Sequence, residues 1–203
     1  MPTAIPADDI TAVILAGGKA RRMNGEDKGL IALGGQRLIE YIITALRPQT
    51  DSIIVNANRH LDVYAGYGLP VVADILGNYL GPLAGMASGM QASDKPWIVT
   101  VPCDSPFIPA DLLRVLSSRL TEEQADICVA HDGERMQPVF AMLRCSLLPD
   151  LLHYLEGGGR KIDHWYATQR LAIADFSGSA DTFLNLNSPQ DRQLLEQRLA
   201  SRS

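Results

Sequence analysis

A chain of 203 residues that is 46% hydrophobic and 20% charged has enough apolar material for one sizeable core, so a single domain spanning 1–203 is expected. A net charge of −5 offers no broad basic face, which argues against a nucleic-acid partner. No run of about 18 apolar residues occurs, and the first ten residues carry neither a basic n-region nor an apolar h-region, so no membrane span and a cytoplasmic location are expected. The three cysteines, Cys103, Cys128 and Cys145, form no CxxC pair and are expected as reduced, small, buried hydrophobes.

Residues 2–9 read as a frayed leader, after which Thr11 to Leu15 is a short apolar strand running straight into Gly17-Gly18. The loop after it gathers Lys19, Arg21, Arg22 and Lys28 in an otherwise acidic chain. Leu30 to Leu33 reads as a short extended piece. Leu38, Ile39, Ile42, Ile43 and Leu46 then repeat at helical spacing until Pro48. Ile53 to Val55 is a second strand, closing at Asn56-Ala57-Asn58, and Leu69 to Ala73 a third, ending at Asp74. Pro82 suits the first position of a helix with Leu83, Met86, Ala87 and Met90 on one face. Trp97 to Val101 is continuously apolar, as expected of a central parallel strand covered on both sides, and Leu112, Leu113, Leu116 and Leu120 mark the next helix.

The rhythm changes after about residue 125. Ile127 to Ala130 and Val139 to Leu143 are strands separated only by a turn-rich stretch, which predicts a hairpin and a smaller lobe. Leu147 to Leu155 is a helix stopped by Gly157-Gly158-Gly159, and Arg160-Lys161 opens another through Trp165 and Tyr166. Leu171 to Ala174 and Phe183 to Asn187 read as extended pieces, and Ser188-Pro189 with Asp191 starts the last helix. Alternating strands and helices predict an α/β fold, an open and mostly parallel sheet with a small, less regular C-terminal lobe.

In such a sheet ligands bind at the carboxyl ends of the strands, which here bring the Gly17-Gly18 loop with Lys28, then Asn56, Asp74 and Asp104, to one crevice. A tight glycine turn with exposed N–H groups and basic neighbours suits a polyphosphate. Asp104 suits either a helix cap near Pro109 or a metal ligand, and Asn56 and Asp74 suit either strand-end turns or ligand contacts. Two common phosphate loops fail: GxGxxG because the next glycine is Gly25, and GxxxxGK[ST] because Val13 stands where its first glycine belongs.

The pattern that fits is Leu15-Ala16-Gly17-Gly18, Arg22-Met23 and Asp27-Lys28, the signature loop of nucleotidyltransferases. Its LAGG form resembles the molybdenum cofactor guanylyltransferases. VNANRH at 55–60, GPLAGM at 81–86, PCDSP at 102–106, HDGER with QP at 131–138, and Asn185-x-Asn187 before Ser188-Pro189 are similar to that family in the same order. Two positions depart from it, Ala20 where many members have serine and Asn24 where glycine is usual.

The resemblance implies a Rossmann-like three-layer sandwich of the nucleotidyltransferase type that transfers GMP from GTP to the terminal phosphate of molybdopterin and releases pyrophosphate. It implies a GTP-binding half at 11–120 and a molybdopterin-binding half at 125–203. Lys28, Arg22 and Asp104 would be catalytic, with Asp104 holding Mg²⁺. Leu15, Ala16, Gly17, Gly18, Asn56, Asp74 and Gly81 would help hold the nucleotide, and Arg160, Lys161, Asn185 and Asn187 would face the second substrate. A monomer in transient contact with molybdoenzymes or cofactor-delivery proteins is expected. A cytidylyltransferase of the same cofactor, a sugar-phosphate nucleotidyltransferase and a non-catalytic GTP-binding module are the alternatives.

Overall fold

Strands whose successive side chains point to opposite faces, buried on both, and helices with a 3.6-residue apolar stripe build three layers. A computed structural model describes residues 4–18, 27–77 and 80–202. Its main sheet has seven strands: β1 (Ile10–Leu15), β4 (Ile53–Asn56), β5 (Val71–Val72), β6 (Trp97–Pro102), β7 (Ile127–His131), β8 (Met136–Arg144) and β9 (Leu171–Asp175), in the order β5-β4-β1-β6-β8-β7-β9. A separate ribbon pairs β2 (Ala32–Leu33) with β3 (Gln36–Arg37). Gly34 (φ 56°) and Gly35 (φ 89°) turn between its strands, a positive-φ pair that suits two-residue hairpins.

The sheet is covered on both faces. On one, Ala12, Ile14, Val55, Val99 and Met142 pack against α1 (Leu38–Leu46) and α4 (Leu112–Glu122). On the other, Val13, Ile98, Val129 and Leu143 meet α3 (Pro82–Ala92), α5 (Leu148–Glu156) and α6 (Ile162–Tyr166). Neighbouring strand residues such as Val13 and Ile14 therefore feed opposite cores. A third, smaller cluster of Ile31, Leu33, Leu38, Phe107, Leu186 and Leu195 seats α7 (Pro189–Arg202) on the ribbon. Among the described residues no helix is long and apolar enough to cross a membrane.

Five expectations need correction. The 127–143 hairpin is no separate lobe: β8 pairs antiparallel with β6, and β7 and β9 extend the same sheet. The less regular C-terminal part is the 3-10 segment Ser177–Phe183, the link to Asn187, and α7. Strand β6 is consequently parallel to β1 on one side only. The third strand shrinks to Val71–Val72, following a proline that has no N–H to give a ladder. Leu30 belongs to a 3-10 turn (Lys28–Leu30), and 184–187 is not a strand because its groups bond to loops. A short helix, α2 (Leu61–Ala65), follows His60 (φ 52°) in a stretch too short to show periodicity.

Candidate active site

Beyond Thr100 the ladder between β6 and β8 stops, and the pairing of β7 with β8 shifts register between Val129 and Ala130. Pro138 sits in this gap, where its missing N–H costs nothing, and the freed carbonyls of Pro138 and Val139 accept from Tyr166 Oη (2.8 Å) and Thr100 Oγ1 (2.7 Å). A cleft of about 680 Å³ opens there.

Its walls bring together Leu15, Ala16, Gly17, Gly18, Lys28, Asn56, Asp74, Gly81, Asp104 and Asn185. Asn187 joins them through Lys28, whose Nζ donates to Asp104 Oδ2 at 2.8 Å and to Asn187 Oδ1 at 2.5 Å. Asn185 accepts from Ser105 Oγ, and Leu186 N–H donates to the Asp104 carbonyl (2.8 Å). The segment before α7 is thereby stitched to the end of β6. Arg22, with Lys19 and Arg21, lies outside the described residues. Arg160 does not line the cleft: its Nη1 donates to the carbonyls of Leu155 (2.7 Å) and Gly159, closing the C-terminal end of α5.

Asp74 is held by two amides. Asn56 Nδ2 donates to its Oδ1 (3.0 Å) and Asn58 Nδ2 to its Oδ2 (2.7 Å), while Asn58 Oδ1 accepts from Asp74 N–H (2.9 Å). Asn58 Nδ2 also donates to the Gly17 carbonyl at 3.1 Å. Glycine at 17 follows from this packing, since a Cβ there would lie 2.8 Å from Asn58 Nδ2. Gly85 on α3 is forced likewise, because its Cβ would overlap Asn56 Oδ1 and lie 2.8 Å from Leu15 Cδ2. At Gly18 a Cβ would meet nothing within 4 Å, so its smallness leaves room in the cleft rather than in the core.

Several lining residues carried no expected role: Asp27, Gly85, Arg135 and Gln137. Gln137 Nε2 and the backbone N–H groups of Glu134 and Arg135 all donate to Asp132, which shapes the β7–β8 turn. Strand β8 is antiparallel to β6, so it begins at the edge where β6 ends; the reversed hairpin was the signal that its polar turn faces the site. Cys103 also lines the cleft, but burial, and then the charges of Asp104 and Asp27, push its thiol far up and leave it neutral. Burial also pushes the Cys128 thiol up to about 12 and the half-buried Cys145 thiol to about 11, and none of the three is in a disulfide.

The donor set suits a cation that arrives with its substrate. Among the described residues no cluster of three His, Cys, Asp or Glu side chains occurs. Asp104, 17% exposed in its side chain, uses Oδ2 for Lys28. One carboxylate supplemented by phosphate oxygens is the usual arrangement for magnesium, so the residues fit it.

Residues 12–171 match the model of the MobA-like NTP transferase domain. A molybdenum cofactor guanylyltransferase of Shewanella sediminis is 46% identical over 191 residues, 94% of this chain and 97% of that protein. One of Shewanella pealeana is 43% identical over 96% of this chain and 98% of its own. The crystal structure of molybdopterin-guanine dinucleotide biosynthesis protein A from Archaeoglobus fulgidus shares the fold, with a TM-score of 0.79 at 19% identity over 94% of this chain and 99% of that one. The cleft at the strand ends, its glycine loop and its lysine–aspartate pair thus stand in a chain that belongs to the MobA-like NTP transferase family, a family of nucleotidyltransferases.

Proposed function

We propose that this protein transfers GMP from GTP to the terminal phosphate of molybdopterin, releasing pyrophosphate. The observation that carries the reading is the Lys28–Asp104 pair sharing the cleft with Gly17-Gly18 in a chain whose near-full-length relatives are named molybdenum cofactor guanylyltransferases.

The acceptor phosphate is already anionic, so the reaction needs no strong base. The work left for the protein is to align two anions and to neutralise charge at the α-phosphorus and on the leaving pyrophosphate. Lys28 serves the second task, its ammonium already desolvated in part and aimed by Asp104 and Asn187. The N–H groups of the Gly17-Gly18 turn and Arg22 add to it. Asp104, together with the triphosphate oxygens, would hold Mg²⁺, which would supply further charge neutralisation there. Guanine presents ring N–H and amino donors, and Asp74, fixed by Asn56 and Asn58, is a carboxylate suited to accept them.

GTP takes the 11–120 half and molybdopterin the 125–203 half, where Asn185 and Asn187 meet the reacting end and Arg135 and Gln137 form the facing wall. A monomeric, cytoplasmic enzyme in transient contact with molybdoenzymes or delivery proteins belongs to the same reading. The test is incubation with molybdopterin, Mg²⁺ and either GTP or CTP, following pyrophosphate release and the mass of the dinucleotide product. Equal or greater use of CTP would sink the guanylyl assignment. GTP affinity without any dinucleotide product would leave only a binding module.

A further inference from the structure

Helix α2 shows no site residue in its sequence, yet its Tyr64 ends against the residue before Lys28. Tyr64 Oη donates to Asp27 Oδ1 at 2.6 Å; the tyrosine is fully buried and Asp27 is 7% exposed. The same Oδ1 accepts from the N–H of Gly29 at 3.3 Å. One carboxylate therefore ties the residues on both sides of Lys28 to a side chain rooted in the core beneath the sheet. A Cβ on Gly29 would lie 2.6 Å from Tyr64 Oη, so the glycine after Lys28 is dictated by this contact. Burial, then the neighbouring Cys103 and the bond to Asp27, push the phenol far above its ordinary value, and it remains a donor. Among the described residues Asp27 Oδ2 is buried with no hydrogen-bond partner, so within them the satisfaction of this carboxylate comes through Oδ1. Removing the phenol oxygen would leave it, among the described residues, one backbone N–H.

We infer that Tyr64 is a positioning residue for Lys28, acting through Asp27. The inference rests on the role of Lys28 proposed above. A lysine side chain is long and loses rotamer freedom when it is held in one place. Fixing the backbone at 27 and 29 leaves only the side chain itself to be ordered, and Asp104 and Asn187 order it. The ammonium is then in place before the phosphates arrive, which is what preorganised charge stabilisation requires.

Tyr64→Phe keeps the buried ring and removes only the oxygen. GTP affinity, by calorimetry with GTP and Mg²⁺, and turnover, by pyrophosphate release, are compared for Tyr64→Phe, Lys28→Met and the double variant. In the Lys28 background Tyr64→Phe is expected to lower turnover about 10-fold and GTP affinity about 3-fold, the scale of a small misplacement of one charged group. In the Lys28→Met background both losses should vanish, because residues acting as a unit are non-additive. Losses of the same size in both backgrounds, or none in either, would overturn the inference. If Tyr64→Phe fails to fold by circular dichroism, Gly29→Ala displaces the hydroxyl from the other side and goes through the same cycle: losses confined to the Lys28 background support the inference, and equal or absent losses overturn it. A wild-type protein that binds GTP and makes no product would remove the proposed reaction, and the affinity cycle would still decide the role of Tyr64.

Discussion

Lys28 Nζ is 2.8 Å from Asp104 Oδ2 and 2.5 Å from Asn187 Oδ1, so three segments 76 and 159 residues apart in sequence converge on one ammonium group. The end of β6, the turn after the glycine loop and the link before α7 meet there. With side-chain exposures of 26% and 17%, the ion pair stands at the cleft wall partly open to solvent, which screens it and limits what it adds to stability.

Replacing Lys28 by Met or Asp104 by Asn should lower turnover by about 100-fold or more, the usual scale for one electrostatic group in a transition state. The unfolding midpoint should move by no more than about 4 °C. Steady-state kinetics beside a thermal melt check both, and near-wild-type turnover in either variant would remove that residue from the chemistry.

Asn187→Ala removes one of the two acceptors on Lys28 but leaves the Leu186 N–H bonded to the Asp104 carbonyl, so the link before α7 stays seated. One charge-assisted hydrogen bond is at stake, and turnover should fall about 10-fold with an unchanged far-ultraviolet spectrum. A melted C-terminal helix with normal turnover in the remaining fold would contradict this.

Asn58→Ala strips three hydrogen bonds, two from Asp74 and one from the Gly17 carbonyl. At roughly 1 kcal/mol each, allowing for relaxation, GTP affinity should drop about 10- to 100-fold. Gly17→Ala should act in the same direction, its new Cβ arriving 2.8 Å from Asn58 Nδ2. Calorimetric titration of both variants is the check, and unaltered affinity in Asn58→Ala would show that the amide network does not serve the nucleotide.

Asp126 lies at the opposite end of the sheet, where hydrogen bonds from Arg170, and Arg144 Nε at 2.9 Å, hold its carboxyl below the usual value. A folded value lower than the unfolded one contributes stability above the unfolded value of about 3.9, and that stability is lost as pH falls through the lower folded value. Wild type should therefore melt higher than Asp126→Asn by a constant margin between about pH 5 and 8, and the margin should close below about pH 4. Melting curves across that range decide it, and a margin that widened with acid would reverse the sign of the argument.

The main helices and strands were legible because each is marked within its own segment: Leu38 to Leu46 by helical spacing, Trp97 to Val101 by an unbroken apolar run. The strand-end residues Asn56, Asp74 and Asp104 were legible too, because a mostly parallel sheet sends its carboxyl ends to one edge. Helix α2 escaped because five residues are too few to show a period. Arg160 misled because a basic residue after three glycines suits a ligand and a helix end equally well, and the carbonyls of Leu155 and Gly159 took it.

By itself the sequence determined which segments are helical or extended and which chemical groups stand at the strand ends, since both are local properties of the chain. Only the tertiary structure decided who holds whom. Lys28 with Asn187, Tyr64 with Asp27, and Asn58 with the Gly17 carbonyl are pairs between segments distant in sequence. The partner of a polar group depends on which elements the buried core brings within hydrogen-bonding distance, and no local pattern carries that information.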